Sequence, residues 1–194
     1  MTTAARFRAV PSLTGETLAF DPRDAPEDPV ALFLSWLDDA LDRCVAEPLA
    51  MTLATADSEG MPDARTLILK DVGERGWAFA GHRGSAKGLQ LADRPRAALA
   101  FWWQPLVRAV RVRGRVVEAT AEESAADLAA RSRSARARIS PGEWMLWRVV
   151  PERVEFWQGR TDRNHMRLVY RRSERGWAHD VERAEAAHDH ERER

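Results

Sequence analysis

Apolar residues change their spacing along this chain, and the changes mark its elements. Val30, Phe33, Leu37, Leu41 and Cys44 recur at helical intervals, with Trp36 beside them. Asp28-Pro29 precedes them as an N-cap followed by proline at the first helical position. A helix is predicted over roughly 29–45. From Glu47 the period shortens. Leu49–Ala56 and Arg65–Lys70 read as strands around a turn at Asp57-Ser58-Glu59-Gly60, and Gly76–Gly81 as a third. Ser85 caps a short predicted helix over 86–93, with Lys87 in its first turn. Arg96–Trp103 and Val107–Glu118 are the next strands. In the second, Arg111, Arg113 and Arg115 alternate with Val110, Val112, Gly114 and Val116. Arg108 is out of phase with the other arginines, which predicts a bulge near 109. Thr120-Ala121-Glu122-Glu123 fits a capping box opening a helix to about Arg131. Residues 132–142 are basic and small and read as a loop. Trp144–Val150, Arg153–Gln158 and His165–Arg171 complete the strands.

Many short strands with few helices predict a mainly β fold: an antiparallel barrel with helices packed outside it. The first long helix would cover an opening or an edge. At 194 residues one domain is expected, over 28–183. Residues 1–27 form a Pro-rich arm that needs something to order against, and 184–194 form a charged tail.

Charge narrows the function. Lys+Arg 30 against Asp+Glu 30 gives no net charge, so no global field favours nucleic acid or membrane. Nearly all the basic charge is arginine; the only lysines are Lys70 and Lys87. Cys44 is alone, which excludes a disulfide framework and a cysteine metal site. No secretory core opens the chain and no apolar run reaches ~18 residues, so a cytoplasmic protein is expected. Eight tryptophans are many for this length and suit interfaces or flat-ring ligands.

Candidate chemistry concentrates at Trp157–Arg167. If 163–167 is extended, Arg163, His165 and Arg167 share one face. Two guanidiniums around an imidazole suit an anionic or electron-rich ligand; a solvated strand edge is the plainer alternative.

Five motifs then fall in order. They are Glu47-Pro48-Leu49-Ala50-Met51-Thr52-Leu53-Ala54-Thr55; Pro62-Asp63-Ala64-Arg65 leading to Leu69-Lys70; Gly84-Ser85-Ala86-Lys87-Gly88; Glu155-Phe156-Trp157-Gln158-Gly159; and Arg163-Asn164-His165-Met166-Arg167. Together they resemble the pyridoxine/pyridoxamine 5′-phosphate oxidase family, including its phenazine-biosynthesis relatives, from about Pro29 to Trp177. The resemblance implies an FMN-binding split β-barrel, homodimeric, with FMN in a cleft between subunits. It implies that Arg65 and Lys87 hold the FMN phosphate, beside Thr66 and Ser85. It places Lys70 near the isoalloxazine and substrate, and Trp157 and Arg167 along the flavin. Arg163 and His165 would face the substrate as the catalytic pair, and Arg131 matches a substrate-phosphate ligand. The implied chemistry is hydride loss from a carbon bearing an amine or hydroxyl to the flavin, which dioxygen then reoxidises.

The chain departs from the family pattern at several positions. Ala80-Gly81 stands for Tyr-Thr, Ala86 for a second cation and Ala109 for a glutamine at the flavin edge. Asp127 aligns with a tyrosine that binds substrate phosphate, and Ala135 or Ser134 with its serine companion. Asp127 lies four positions before Arg131 on the same helix face, so the two can pair and close the phosphate site. The expected function is therefore an FMN-dependent oxidase of a small unphosphorylated amine, alcohol or dihydroaromatic substrate. Oxidation of the vitamin B6 phosphate itself, and a non-catalytic barrel holding flavin or haem (His165 the candidate haem ligand), are the alternatives.

Overall fold

The computed structural model describes residues 2–140 and 142–182. Its helices are α1 (Thr3–Arg8), α2 (Pro29–Asp42), α3 (Ala86–Asp93), α4 (Ala121–Ala129) and α5 (Arg133–Arg136). Its strands are β1 (Ala50–Ala56), β2 (Pro62–Ile68), β3 (Asp71–Gly73), β4 (Gly76–His82), β5 (Arg96–Trp103), β6 (Arg108–Glu118), β7 (Trp144–Gln158), β8 (Met166–Ser173) and β9 (Gly176–Val181). They form one antiparallel sheet in the order β2-β1-β5-β6-β7-β4-β3, with β8 and β9 branching from β7.

β7 is the seam. It pairs with β6 along its length, with β4 through its first half and with β8 through its second. The sequence reading broke this strand at Pro151; it runs through for 15 residues. What occurs at the break is a bulge. The register passes from Arg113↔Arg153 to Gly114↔Pro151 and leaves Glu152 as the extra residue. The bulge therefore lies here, and not near 109. Arg108 is out of phase because it points inward, 1% exposed and opposite Gln158. Periodicity does not show the short β3, whose three residues carry no period, or the terminal β9.

The core forms between α2 and the sheet's concave face. Asp28 accepts the Val30 N–H and starts α2 as expected. The helix then buries Leu32, Phe33, Trp36 and Ala40. Phe33 meets Phe101 at 5.1 Å and Trp77 at 6.0 Å, edge to face. The arm packs on its own barrel. The Glu16 N–H donates to Pro105 O at 2.7 Å, Phe20 sets its edge on Trp36, and Tyr170 OH donates to Pro26 O at 2.7 Å. The charged tail over 184–194 lies outside the described residues. Among those described, no helix is long and apolar enough to cross a membrane.

On the convex face, α4 is held by polar contacts. The Leu146 N–H donates to Ser124 Oγ at 3.1 Å. Arg148, nearly buried, reaches Glu123 on α4 at 3.1 Å and Asp71 at the start of β3 at 2.8 Å. The predicted capping box forms: Thr120 Oγ1 accepts the Glu123 N–H, and Glu123 accepts the Thr120 N–H.

Phe33 carries the contact between helix and sheet. Phe33→Ala should cost about 3–5 kcal/mol, the usual range for a large buried aromatic. Urea unfolding measures it; a loss under ~1 kcal/mol would mean that α2 is not what closes the core.

Candidate functional site

The residues singled out in the sequence gather at two places, near opposite ends of β7. At its N-terminal end lie Arg65, Lys70, Ser85, Lys87, Asp127 and Arg131; at its C-terminal end Trp157, Arg163, His165 and Arg167. Met145 pairs with Gly81 at the first place and Trp157 with Arg167 at the second. Met145 and Trp157 stand twelve positions apart, roughly 40 Å of contour along the strand at the usual rise. No hydrogen bond, ion pair or ring contact among the described residues joins the two groups.

The first group is cationic. Arg65 on β2 is aimed by its neighbours: its Nη1 donates to Thr55 Oγ1, and its Nη2 to Gln90 Oε1 at 3.2 Å and to Asp63. Thr55 in turn donates to Gln90, so β1, β2 and α3 are tied at this point. Ser85 caps α3, accepting the Gly88 N–H at 3.4 Å, and accepts from Lys87 Nζ at 3.0 Å. Lys87 bends back over β4. A Cβ on Gly81 would stand 2.4 Å from Lys87 Cε and 2.6 Å from Nζ, so only glycine admits this pose. Burial pushes the Lys87 ammonium below the usual lysine range, and the charge of Arg65 adds to the effect. Arg65 has a carboxylate beside it; Lys87 has none among the described residues. Thr66 is exposed opposite Thr52, and its side chain joins no contact in this cradle.

Beside it is a second cluster that includes a residue not anticipated, Trp144. The indole Nε1–H donates to Asp127 Oδ2 at 2.7 Å. Asp127 Oδ1 lies 3.8 Å from Lys70 Nζ. Arg131 stacks over the Trp144 ring at 4.4 Å, and its buried Nε has no partner among the described residues. The expected Asp127–Arg131 pair does not form: the carboxylate turns to the indole and the ammonium, and the guanidinium to the ring face. Small Ala78 and Ala80 leave room for Leu146 and Trp144 to pack alongside. A tryptophan at a strand start carries no signal of this role in sequence.

The second group has an aromatic centre. Trp102, Ala109, Trp157 and Arg167 are successive cross-strand partners and share the convex face. Trp157 lies 6.2 Å from Trp102 and 5.1 Å from His165. Arg167 stands 3.6 Å from Glu155, which is 2% exposed and is also met by Arg111 and Arg153. The extended arrangement expected for 163–167 is not present. Arg163 is left-handed at φ +64°, and its N–H donates to Arg160 O in a turn. The strand begins only at Met166. His165 instead accepts the Arg160 N–H on Nδ1 at 3.1 Å, which places the proton of a neutral ring on Nε2.

Lys87 gives a pH signature. The folded chain loses this proton at lower pH than the unfolded one. Between the lowered value and the ordinary 10.5 the unfolded state therefore binds more protons, and stability rises with pH. Lys87→Met should flatten that rise in unfolding curves taken from neutral pH upward. Superimposable profiles would remove Lys87 as its source.

Comparison with known proteins agrees with this geometry. Residues 37–158 match the pyridoxamine 5′-phosphate oxidase family, and residues 144–181 match the pyridoxine 5′-phosphate oxidase C-terminal dimerisation region. A Pseudomonas paraeruginosa protein named pyridoxine/pyridoxamine 5′-phosphate oxidase is 39% identical over 191 residues, covering 81% of this chain and 89% of its own. A Thermosynechococcus vestitus protein of the same name is 40% identical, covering 79% and 88%. The crystal structure of PhzG from Burkholderia lata, in complex with tetrahydrophenazine-1-carboxylic acid, superposes with a TM-score of 0.81 at 25% identity. It covers 88% of this chain and 100% of that one. The split-barrel fold and the motifs agree, and the chain belongs to the pyridoxamine 5′-phosphate oxidase family.

Proposed function

We propose that this protein is an FMN-dependent oxidase, a cytoplasmic homodimer with the flavin between its subunits. Its substrate is a small unphosphorylated amine, alcohol or dihydroaromatic compound, and dioxygen is the electron acceptor. The phosphate end of FMN has a fitting cradle. Lys87 has no carboxylate beside it among the described residues, the charge of Arg65 acts on it, and the start of α3 adds backbone N–H groups. The ring end fits Trp157 and Arg167, a flat apolar surface beside a guanidinium. When bound, FMN supplies the two-electron chemistry that no side chain here provides. The separation of the two groups along β7 favours a site shared by two chains, and the matched dimerisation region carries Trp144, Trp157 and Arg167. His165, with Nδ1 occupied, presents Nε2–H to a substrate oxygen or nitrogen. Arg163 stands exposed at the turn beside it and adds a cation to that side.

The substrate reading is carried by the Asp127 carboxylate. It is fixed by the Trp144 indole and faces Lys70. A phosphate drawn to Lys70 would meet it; at ~4 Å and an effective dielectric of about 20, each pair of like unit charges costs roughly 4 kcal/mol before relaxation. Arg131, stacked on Trp144, leaves one cation for a neutral polar or singly charged group. The names of the relatives near 40% identity favour the second reading, oxidation of pyridoxine or pyridoxamine 5′-phosphate.

Steady-state oxidation of pyridoxine 5′-phosphate by the FMN-loaded protein separates the two. The wild type should be poor and Asp127→Tyr better. A wild-type kcat/KM of ~10⁴ M⁻¹s⁻¹ or more, ordinary for an enzyme on its own substrate, would overturn the unphosphorylated reading. Cofactor anchoring has its own test. Lys87→Ala should weaken FMN by about 1.5–3 kcal/mol, the scale of a charged hydrogen bond, and riboflavin hardly at all. Equal losses for both would take the phosphate away from Lys87.

A further inference from the structure

Arg108 is buried and charged, and nothing above uses it. Its Nη1 donates to Asp39 Oδ2 on α2 at 2.7 Å, and its Nε to Gln158 Oε1 at 2.8 Å. The guanidinium lies 4.1 Å above the Trp36 ring. Burying such a pair gives little net stability, since apolar residues of the same volume often do as well. It does give direction. A guanidinium only donates, so it fixes which end of the Gln158 amide is oxygen. The Nε2 end must then face the other way. There it donates to the carbonyls of Leu106 at 3.0 Å, Val107 at 3.3 Å and Gly159 at 3.3 Å.

These three carbonyls belong to the turn before β6 and the exit from β7. The Gly159 N–H closes them with a 2.8 Å bond to Val107 O. Val107 is left-handed at φ +51°, uncommon for a β-branched residue, and the clamp holds it there. The Trp157 indole rests on the clamped glycine. A Cβ at 159 would stand 2.6 Å from Trp157 Cη2, 2.9 Å from Cζ3 and 2.4 Å from Val107 Cγ1. His165 and Trp102 flank the other sides of the indole.

We infer that Gln158, oriented by Arg108, is a positioning residue that sets the Trp157 indole through the backbone of Gly159. The consequence for cofactor binding rests on the proposal that Trp157 borders the flavin; the positioning itself does not.

The test uses full-length protein labelled with 5-fluorotryptophan. Eight tryptophans give eight ¹⁹F resonances, and Trp157→Phe identifies the relevant one. Gln158→Glu keeps an oxygen for Arg108 and removes the donor to the three carbonyls. In the flavin-free protein the Trp157 resonance should shift or broaden, while those of Trp77, against Phe33, and Trp147, stacked on Phe79, hold. FMN and riboflavin should then weaken by the same factor, on the order of tenfold for one lost contact network, because the change is at the ring. Arg108→Lys, which keeps the charge and loses the fork, should move the same resonance less. It decides the matter if Gln158→Glu does not fold. An unmoved Trp157 resonance overturns the inference, and so does an equal disturbance of all eight. A moved resonance with unchanged flavin affinity upholds the positioning and overturns the placement of Trp157 against flavin.

Discussion

The continuity of β7 is the constraint on which the site depends. In a regular strand, side chains thirteen residues apart point to opposite faces. Trp144 and Trp157 are thirteen apart, yet both look outward. Glu152 makes this possible: one extra residue in the strand reverses the alternation while the pairing with β6 continues on both sides. The strand thereby offers an outward aromatic near each end, one beneath Arg131 and one beside His165.

The ion pairs that tie the scaffold together are made by arginine, although Arg65, Arg131, Arg163 and Arg167 also stand in the site groups. Arg108 pairs with Asp39, Arg148 with Asp71 and Glu123, and Arg111, Arg153 and Arg167 surround Glu155. Planar guanidiniums with several donors suit such shared carboxylates. The two lysines of the chain lie at the cationic end of the site. Lys70 faces a carboxylate, and Lys87 faces none among the described residues. That difference separates a position occupied by its own counter-charge from one left for an outside anion.

The sequence showed what is local. Periodicity located α2, α3, α4 and most strands, because one face of each is apolar. Caps at Asp28, Ser85 and Thr120 act over three residues and are legible for that reason. The resemblance named Arg65, Lys87 and Trp157. Partners distant along the chain could not be read. The choice of Asp127 between Arg131 and Trp144 depends on β7 lying beneath α4. The inward turn of Arg108 depends on Asp39, 69 residues away. The face assigned to Arg163, His165 and Arg167 failed because the left-handed Arg163 ends the alternation before the strand begins.

The spacing of the two residue groups along β7 also bears on inheritance. With a site shared between chains, a subunit damaged at Lys87 and one damaged at Trp157 are complementary. Paired in one dimer, they assemble one cleft carrying both lesions and one carrying neither. Two alleles that are each inactive would together restore up to half the clefts of every mixed dimer, whereas two lesions at the same end of the strand would restore none.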